Sequence, residues 1–157
     1  MVNERDTARE LTLDAFLPYR LSITSNRVSD AVASAYRALF GLRIPEWRLI
    51  AVLAEGSGLT QQALGRATRM DKVTVSRAAI ALAERGLVRR APNPGDQRSH
   101  LLALSSEGRA LYEDVAPKAL EIEAAIFGGF SEAALEAFET MLERIDAAVA
   151  ALDVEQG

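Results

Sequence analysis

The chain has 157 residues, 49% hydrophobic and 25% charged, enough for one compact domain with helical extensions. With no cysteine and one histidine, disulfides, zinc–thiolate sites, a thiol redox sensor and any multi-histidine metal site are excluded. The net charge of −4 is unevenly spread: residues 60–100 hold eight Lys/Arg and three Asp/Glu, residues 101–157 three and twelve.

A positive field confined to one segment of an acidic chain is what phosphate binding requires. No apolar run approaches the ~20 residues that cross a bilayer, and the N-terminus MVNERDTARE has no signal-peptide core. The expectation is a cytoplasmic protein with no membrane partner, no metal and no cofactor.

Residues 1–12 read as a flexible arm. A long helix should then run from Leu17 to Phe40, with Pro18 tolerated in its first turn and Gly41 as its stop. Leu17, Leu21, Thr24, Val28, Ala31 and Ala35 form its apolar seam, which Ile23, Val32, Tyr36, Leu39 and Phe40 widen. A helix apolar on more than one side needs more than one neighbour, and a partner subunit would supply the second. The next helix starts at Ile44-Pro45-Glu46, turns Trp47, Leu49, Ile50, Val52 and Leu53 inward, and ends near Glu55-Gly56. Ser57-Gly58-Leu59 is a short connector and a candidate third small strand.

Residues 60–104 organise the rest. Thr60 can cap a short helix through Gln61, Leu64 and Gly65, which breaks near Thr68 to Met70. Asp71 can cap a second helix that runs to Arg85 and stops at Gly86. On its wheel Val75, Ala79 and Leu82 share the core side, while Val73, Ser76, Arg77 and Ile80 face the other way and Lys72 projects from the first turn. This is the helix-turn-helix pattern. Leu87–Ala91 and His100–Leu104 can then pair as antiparallel strands around PNPGDQRS, a run of turn formers that would project as a hairpin tip. The expected fold is mainly α with a small β-hairpin wing: a winged helix-turn-helix over 43–105, flanked by N- and C-terminal dimerisation helices over 13–42 and 106–153.

In the C-terminal part Ser105 caps a helix from Glu107 to about Phe127, kinked by Pro117, and Gly128-Gly129 breaks it. Ser131 caps a last helix with Leu135, Phe138, Leu142, Ile145, Val149 and Leu152 on one face. These long amphipathic helices have no core of their own, and interleaving with a second copy would satisfy them, predicting a homodimer.

The segment LTQQALGRATRMDKVTVSRAAIALAERGLVRR, the wing P-G-D-Q-R and LALSSEGRAL resemble the multiple-antibiotic-resistance regulator (MarR) family. The wing Asp-x-Arg followed by Leu-Ser-x-x-Gly, with helical arms at both ends, is the specific part of that resemblance, which spans Leu17 to Leu152. It implies a homodimeric transcription factor whose recognition helices enter adjacent major grooves of a palindromic operator in double-stranded DNA, with the wings in minor grooves. It also implies a small-molecule effector, often an aromatic carboxylate or phenolic compound, between the dimerisation helices and the DNA lobe, and repression as the common mode. Gln97 stands where a further arginine is frequent in the family.

The candidate DNA-binding residues follow. Arg98 at the hairpin tip can enter a narrow minor groove, with Asp96 fixing its guanidinium through a charge-assisted bond. Lys72 and Arg77 should bind phosphate or bases, and Val73, Thr74 and Ser76 should reach base edges or a thymine methyl. Gln61 and Gln62 are candidates for phosphate contacts. His100, where strand pairing resumes, reads as a structural histidine. Tyr19, Arg20, Tyr36, Trp47 and Arg48 are candidates for an effector pocket, since arginine beside aromatics can hold an aromatic anion. The competing reading makes Trp47 core and places Arg20 and Arg48 in surface or intersubunit ion pairs.

An enzyme is disfavoured, because no phosphate loop, nucleophile pair or metal spacing accompanies the carboxylates. A helical protein-interaction module without a DNA target is the second alternative, and it leaves the local positive charge unexplained. A ligand-independent activator is the third.

Overall fold

The computed structural model describes residues 10–155, so most of the expected arm, including residues 1–9, lies outside the described residues. A 3-10 turn at Leu13–Ala15 precedes α1 (Leu17–Phe40), α2 (Ile44–Ala54), α3 (Gln61–Thr68), α4 (Lys72–Glu84), β1 (Val88–Pro92), β2 (His100–Leu104), α5 (Ser106–Phe127) and α6 (Glu132–Glu155). The chain divides within α5 into two compact units, Met1–Val115 and Ala116–Gly157.

The first unit is built around the apolar sides of α2, α3, α4 and the hairpin. Leu42, Leu49, Ile50, Leu64, Val75, Leu82 and Leu102 are fully buried, and Leu53, Ala78, Ala79, Leu87 and Val88 nearly so. Each large aliphatic side chain buried in this way contributes roughly 1.5–3 kcal/mol. The glycine stop of α1 forms as expected: Gly41 has φ +63° and its N–H donates to Arg37 O at 3.1 Å. Leu42, the next residue, is sealed into the core.

The two strands pair antiparallel from Val88↔Leu104 to Pro92↔His100. Leu59 adds a third short segment, exchanging backbone hydrogen bonds of 2.9 and 2.7 Å with Leu102. β1 starts one residue later than the sequence pattern suggests. The N–H of Leu87 still closes α4 by donating to Leu82 O at 2.9 Å, around Gly86 at φ +70°.

The start of α5 is bolted to that same turn. Buried Ser105 donates its hydroxyl to Gly86 O at 2.5 Å and accepts the Gly108 N–H at 3.0 Å, while its own N–H donates to Leu87 O at 3.0 Å. Gly108 approaches the Leu87 carbonyl too closely for any side chain. The Leu-Ser-x-x-Gly run is therefore the joint between the hairpin and α5.

Two arginines close helix ends elsewhere in this unit. Arg85 donates to Phe40 O and Gly41 O, both at 3.2 Å, and Arg109 to Ala54 O at 3.4 Å. Each satisfies carbonyls that a helix terminus leaves without a partner.

In the second unit Ser131 accepts the Ala134 N–H at 3.1 Å as the N-cap of α6. Phe127 and Phe138 lie with ring centroids 6.4 Å apart. The apolar side of α6 stays open: Phe138, Met141, Leu142, Ile145, Val149 and Leu152 are all exposed. In the first unit, α1 likewise leaves Leu17, Leu21 and Ile23 exposed. No helix among the described residues is long and apolar enough to cross a membrane.

Candidate nucleic-acid interface

α3 and α4 are each started by a side-chain cap. Thr60 Oγ1 accepts the Ala63 N–H at 3.1 Å, and Asp71 Oδ1 accepts the Thr74 N–H at 2.8 Å. Asp71 Oδ2 also accepts the Thr74 hydroxyl at 2.8 Å. The Thr74 N–H, then its hydroxyl, hold the Asp71 carboxyl below the usual carboxylate range. Between the helices Arg69 takes the left-handed conformation at φ +56°, the one non-glycine residue to do so among those described. This left-handed step makes the turn tight enough to bring α4 across α3.

The core side of α4 carries Val75, Ala78, Ala79 and Leu82. Lys72, Val73, Arg77 and Ile80 are exposed on the other side, with Thr74 and Ser76 half-buried. Spacings of four and three align Val73, Arg77 and Ile80 along one outward strip. Thr74 is part of the cap, so its hydroxyl proton is directed to Asp71 and not outward toward a base edge.

The wing tip is an ordered loop. Asn93 Oδ1 accepts the Gly95 N–H at 3.0 Å, and Asn93 Nδ2 donates to Ser99 Oγ at 3.0 Å. The expected Asp96–Arg98 relationship is different in kind. Asp96 Oδ1 accepts the backbone N–H of Arg98 at 2.9 Å, an Asx turn that shapes the loop, and the exposed guanidinium makes no ion pair with it. With only one residue between them, the short carboxylate meets the local backbone before it can meet the end of a long side chain.

Beside the wing, a polar cleft of about 430 Å³ opens against the first turn of α3, lined by Gln61, Gln62, Arg90, Asp96, Arg98 and His100 among others. A second cleft of about 520 Å³ lies between α3 and α4, with Gln61, Gln62, Arg66 and Lys72 in its lining. Gln61 and Gln62 thus stand between α4 and the wing. Arg90 and Arg66 are absent from the DNA-binding residues singled out by sequence, and His100 reads there only as a structural histidine, although strand alternation already separates Arg89 from Arg90 onto opposite faces. Arg89 contributes its positive charge near Glu107, whose carboxyl is lowered mainly by its own backbone N–H and then by the Ser106 and Ser105 hydroxyls. Arg85, one of the eight cations of the basic segment, is occupied with the end of α1.

Of the five residues expected around an effector, the first unit brings two together. Tyr36 is buried, its hydroxyl pushed above the usual phenol range by that burial, and its ring is tilted against Trp47 at 5.5 Å. Trp47 in turn stacks on Tyr112 at 6.0 Å, a partner that helix periodicity did not single out. Arg48 is exposed on α2. Tyr19 and Arg20 are exposed in the first turn of α1, about 25 Å along the helix from Tyr36 at ~1.5 Å per residue. The chain by itself therefore does not bring them to the Tyr36–Trp47 pair.

Against known proteins, residues 40–99 match the sequence model of the MarR family. A crystal structure of a probable transcriptional regulator from Pseudomonas aeruginosa is 30% identical, covering 85% of this chain and 99% of that one at a TM-score of 0.74. The chain belongs to the MarR family. Its members are DNA-binding regulators of transcription, not enzymes. Among relatives of this MarR-family chain is the transcriptional regulator HosA of Escherichia coli O111:H-, 26% identical over 101 residues that make up 64% of this chain and 75% of HosA. CouR from Rhodococcus jostii RHA1, solved bound to p-coumaroyl-CoA, is 26% identical with a TM-score of 0.77, covering 87% of this chain and 95% of that one. The winged helix-turn-helix architecture is shared with these structures.

Proposed function

We propose that this MarR-family chain is a homodimeric repressor that binds a palindromic operator and is released by a small aromatic anion. The observation that carries the reading is the alignment of Val73 and Arg77 on the open side of α4 beside a cationic wing, on an otherwise acidic chain. α4 is the element that enters the major groove, where Lys72 and Arg77 contact phosphate or bases and Val73 and Ser76 meet base edges. Arg98, its guanidinium turned to solvent on an ordered loop, enters the minor groove. Gln61 and Gln62 donate to backbone phosphates.

The exposed apolar sides of α1 and α6 support dimerisation through the terminal helices, since surfaces of that length are covered in stable proteins. CouR is solved with an aromatic thioester, which supports an effector of aromatic, anionic character here, with the Tyr36–Trp47–Tyr112 stack as one wall of its site. In that arrangement Tyr19 and Arg20 contribute, if to any effector site, to one completed by the second subunit.

The test combines light scattering with binding to the DNA upstream of the chain's own gene. A dimer that prefers an inverted repeat over random duplex, and loses that preference when p-coumaroyl-CoA or a related aromatic acid is added, supports the reading. A monomer, or equal affinity for both duplexes, overturns it.

A further inference from the structure

We infer that the cleft between the wing and α3 is a seat for one DNA backbone phosphate, held by Arg90 and by the imidazole of His100. The inference deepens the operator-binding reading and rests on it. Its basis is the register of the hairpin. Arg90 pairs with Leu102 and Pro92 with His100, and cross-strand partners point to the same side of a sheet. Arg90 and His100 therefore share the face of buried Leu102, which is bridged to Leu59 immediately before the cap of α3. Leu102 anchors that face in the core, and the two longer side chains reach the rim at the first turn of α3.

The lining of the cleft has the chemistry of a phosphate site. Arg90 from β1 and Arg98 from the other side of the wing bring cationic donors, and His100 brings an imidazole N–H. Gln61 and Gln62 bring uncharged amide donors from α3, whose N-terminal end also favours an anion. The one acidic group in the lining, Asp96, is turned to the N–H of Arg98. The opposite face of the hairpin carries Arg89, whose charge is felt at Glu107, and it takes no part. A phosphate in this position touches both motif elements, α3 and the wing, and fixes how far the wing tip can reach.

The imidazole of His100 carries a ring N–H that donates to a phosphate oxygen. His100 is the only histidine of the chain, so a single substitution isolates the effect.

The experiment measures fluorescence anisotropy of the full chain with its upstream DNA fragment and with random duplex, across salt, at one fixed pH. Arg90→Gln should lose about 0.9 per subunit of the slope of log affinity against log salt. His100→Ala should bind both duplexes about three- to tenfold more weakly, the scale of one lost hydrogen bond, and His100→Gln, which keeps an N–H donor, should recover most of that loss. Affinity of His100→Ala equal to wild type overturns the role of His100, and an unchanged slope in Arg90→Gln overturns that of Arg90. Weak, salt-independent binding of wild type to both duplexes instead overturns the operator-binding reading from which this one follows.

Discussion

A Cβ on Gly108 would lie 2.0 Å from the carbonyl oxygen of Leu87. That oxygen accepts the Ser105 N–H and belongs to the turn that ends α4, so it cannot retreat without breaking the joint. In an ordinary helix, replacing glycine by alanine gains about 1 kcal/mol. Here the sign reverses: Gly108→Ala should destabilise by about 2–3 kcal/mol, the scale of overpacking a fixed backbone contact. Urea unfolding followed by circular dichroism reads the difference, and an alanine variant as stable as wild type would show that the joint yields.

Arg69 poses the opposite case. Its φ of +56° is a conformation glycine adopts without steric cost, and a side chain there costs about 1 kcal/mol. Arg69→Gly should therefore be more stable than Arg69→Ala by about that amount in the same unfolding measurement, since both lose the side chain and only glycine loses the strain. Both variants remove a cation from the turn between α3 and α4, so both should bind DNA less tightly than wild type. Equal stability of the two would show that the turn carries no strain at this position.

The cap of α4 carries a pH dependence. Asp71 has its carboxyl lowered from the ordinary 3.8 by the Thr74 N–H and hydroxyl, so it binds its proton less readily folded than unfolded. Its stabilising contribution is complete above that ordinary value and is lost as pH falls through the lowered folded one. Thermal melts between pH 6 and pH 2.5 should show wild type losing more stability than Asp71→Ala, and the two curves converging at the acid end. Asp71→Asn, which keeps an acceptor for the Thr74 N–H, should lie between them at neutral pH.

Arg98 and Arg77 separate two kinds of contact. Arg98→Ala should weaken operator binding by about tenfold or more and leave the melting temperature and dimer unchanged, because the guanidinium is exposed and makes no hydrogen bond or ion pair among the described residues. Arg77→Ala should lower the salt slope by about one per subunit where it neutralises a phosphate. Anisotropy titrations at three salt concentrations measure both, and an Arg98→Ala protein with full affinity would remove the wing from the interface.

Much of the architecture was readable because it depends on neighbours in sequence. Thr60 and Asp71 as caps, Gly41 and Gly86 as stops, and the inward set Val75, Ala79 and Leu82 all follow from contacts within a few residues. Even the short Leu59 segment beside the wing was legible from its place between a glycine and a cap. What escaped were relations between distant segments. Arg85 lies 44 residues from the Gly41 carbonyl it holds, and nothing local distinguishes it from a phosphate-binding arginine. Arg90 and His100 gain meaning only from the strand register, and Asp96 turned to the nearest N–H in place of the guanidinium. Tyr112 joins Trp47 across 65 positions of sequence, beyond any periodicity argument.

The grip of Arg85 on the last carbonyls of α1 has a mechanical consequence. It ties the rear of α4 to the end of the long N-terminal rod, while the front of α4 hangs from Asp71 with its side chains outward. The end of α1 and the rear of α4 are thereby held as one piece, so a shift of either is carried to the other through the same two bonds. Arg85→Ala cuts that tie and leaves Lys72, Val73 and Arg77, exposed toward the other end of α4, unchanged.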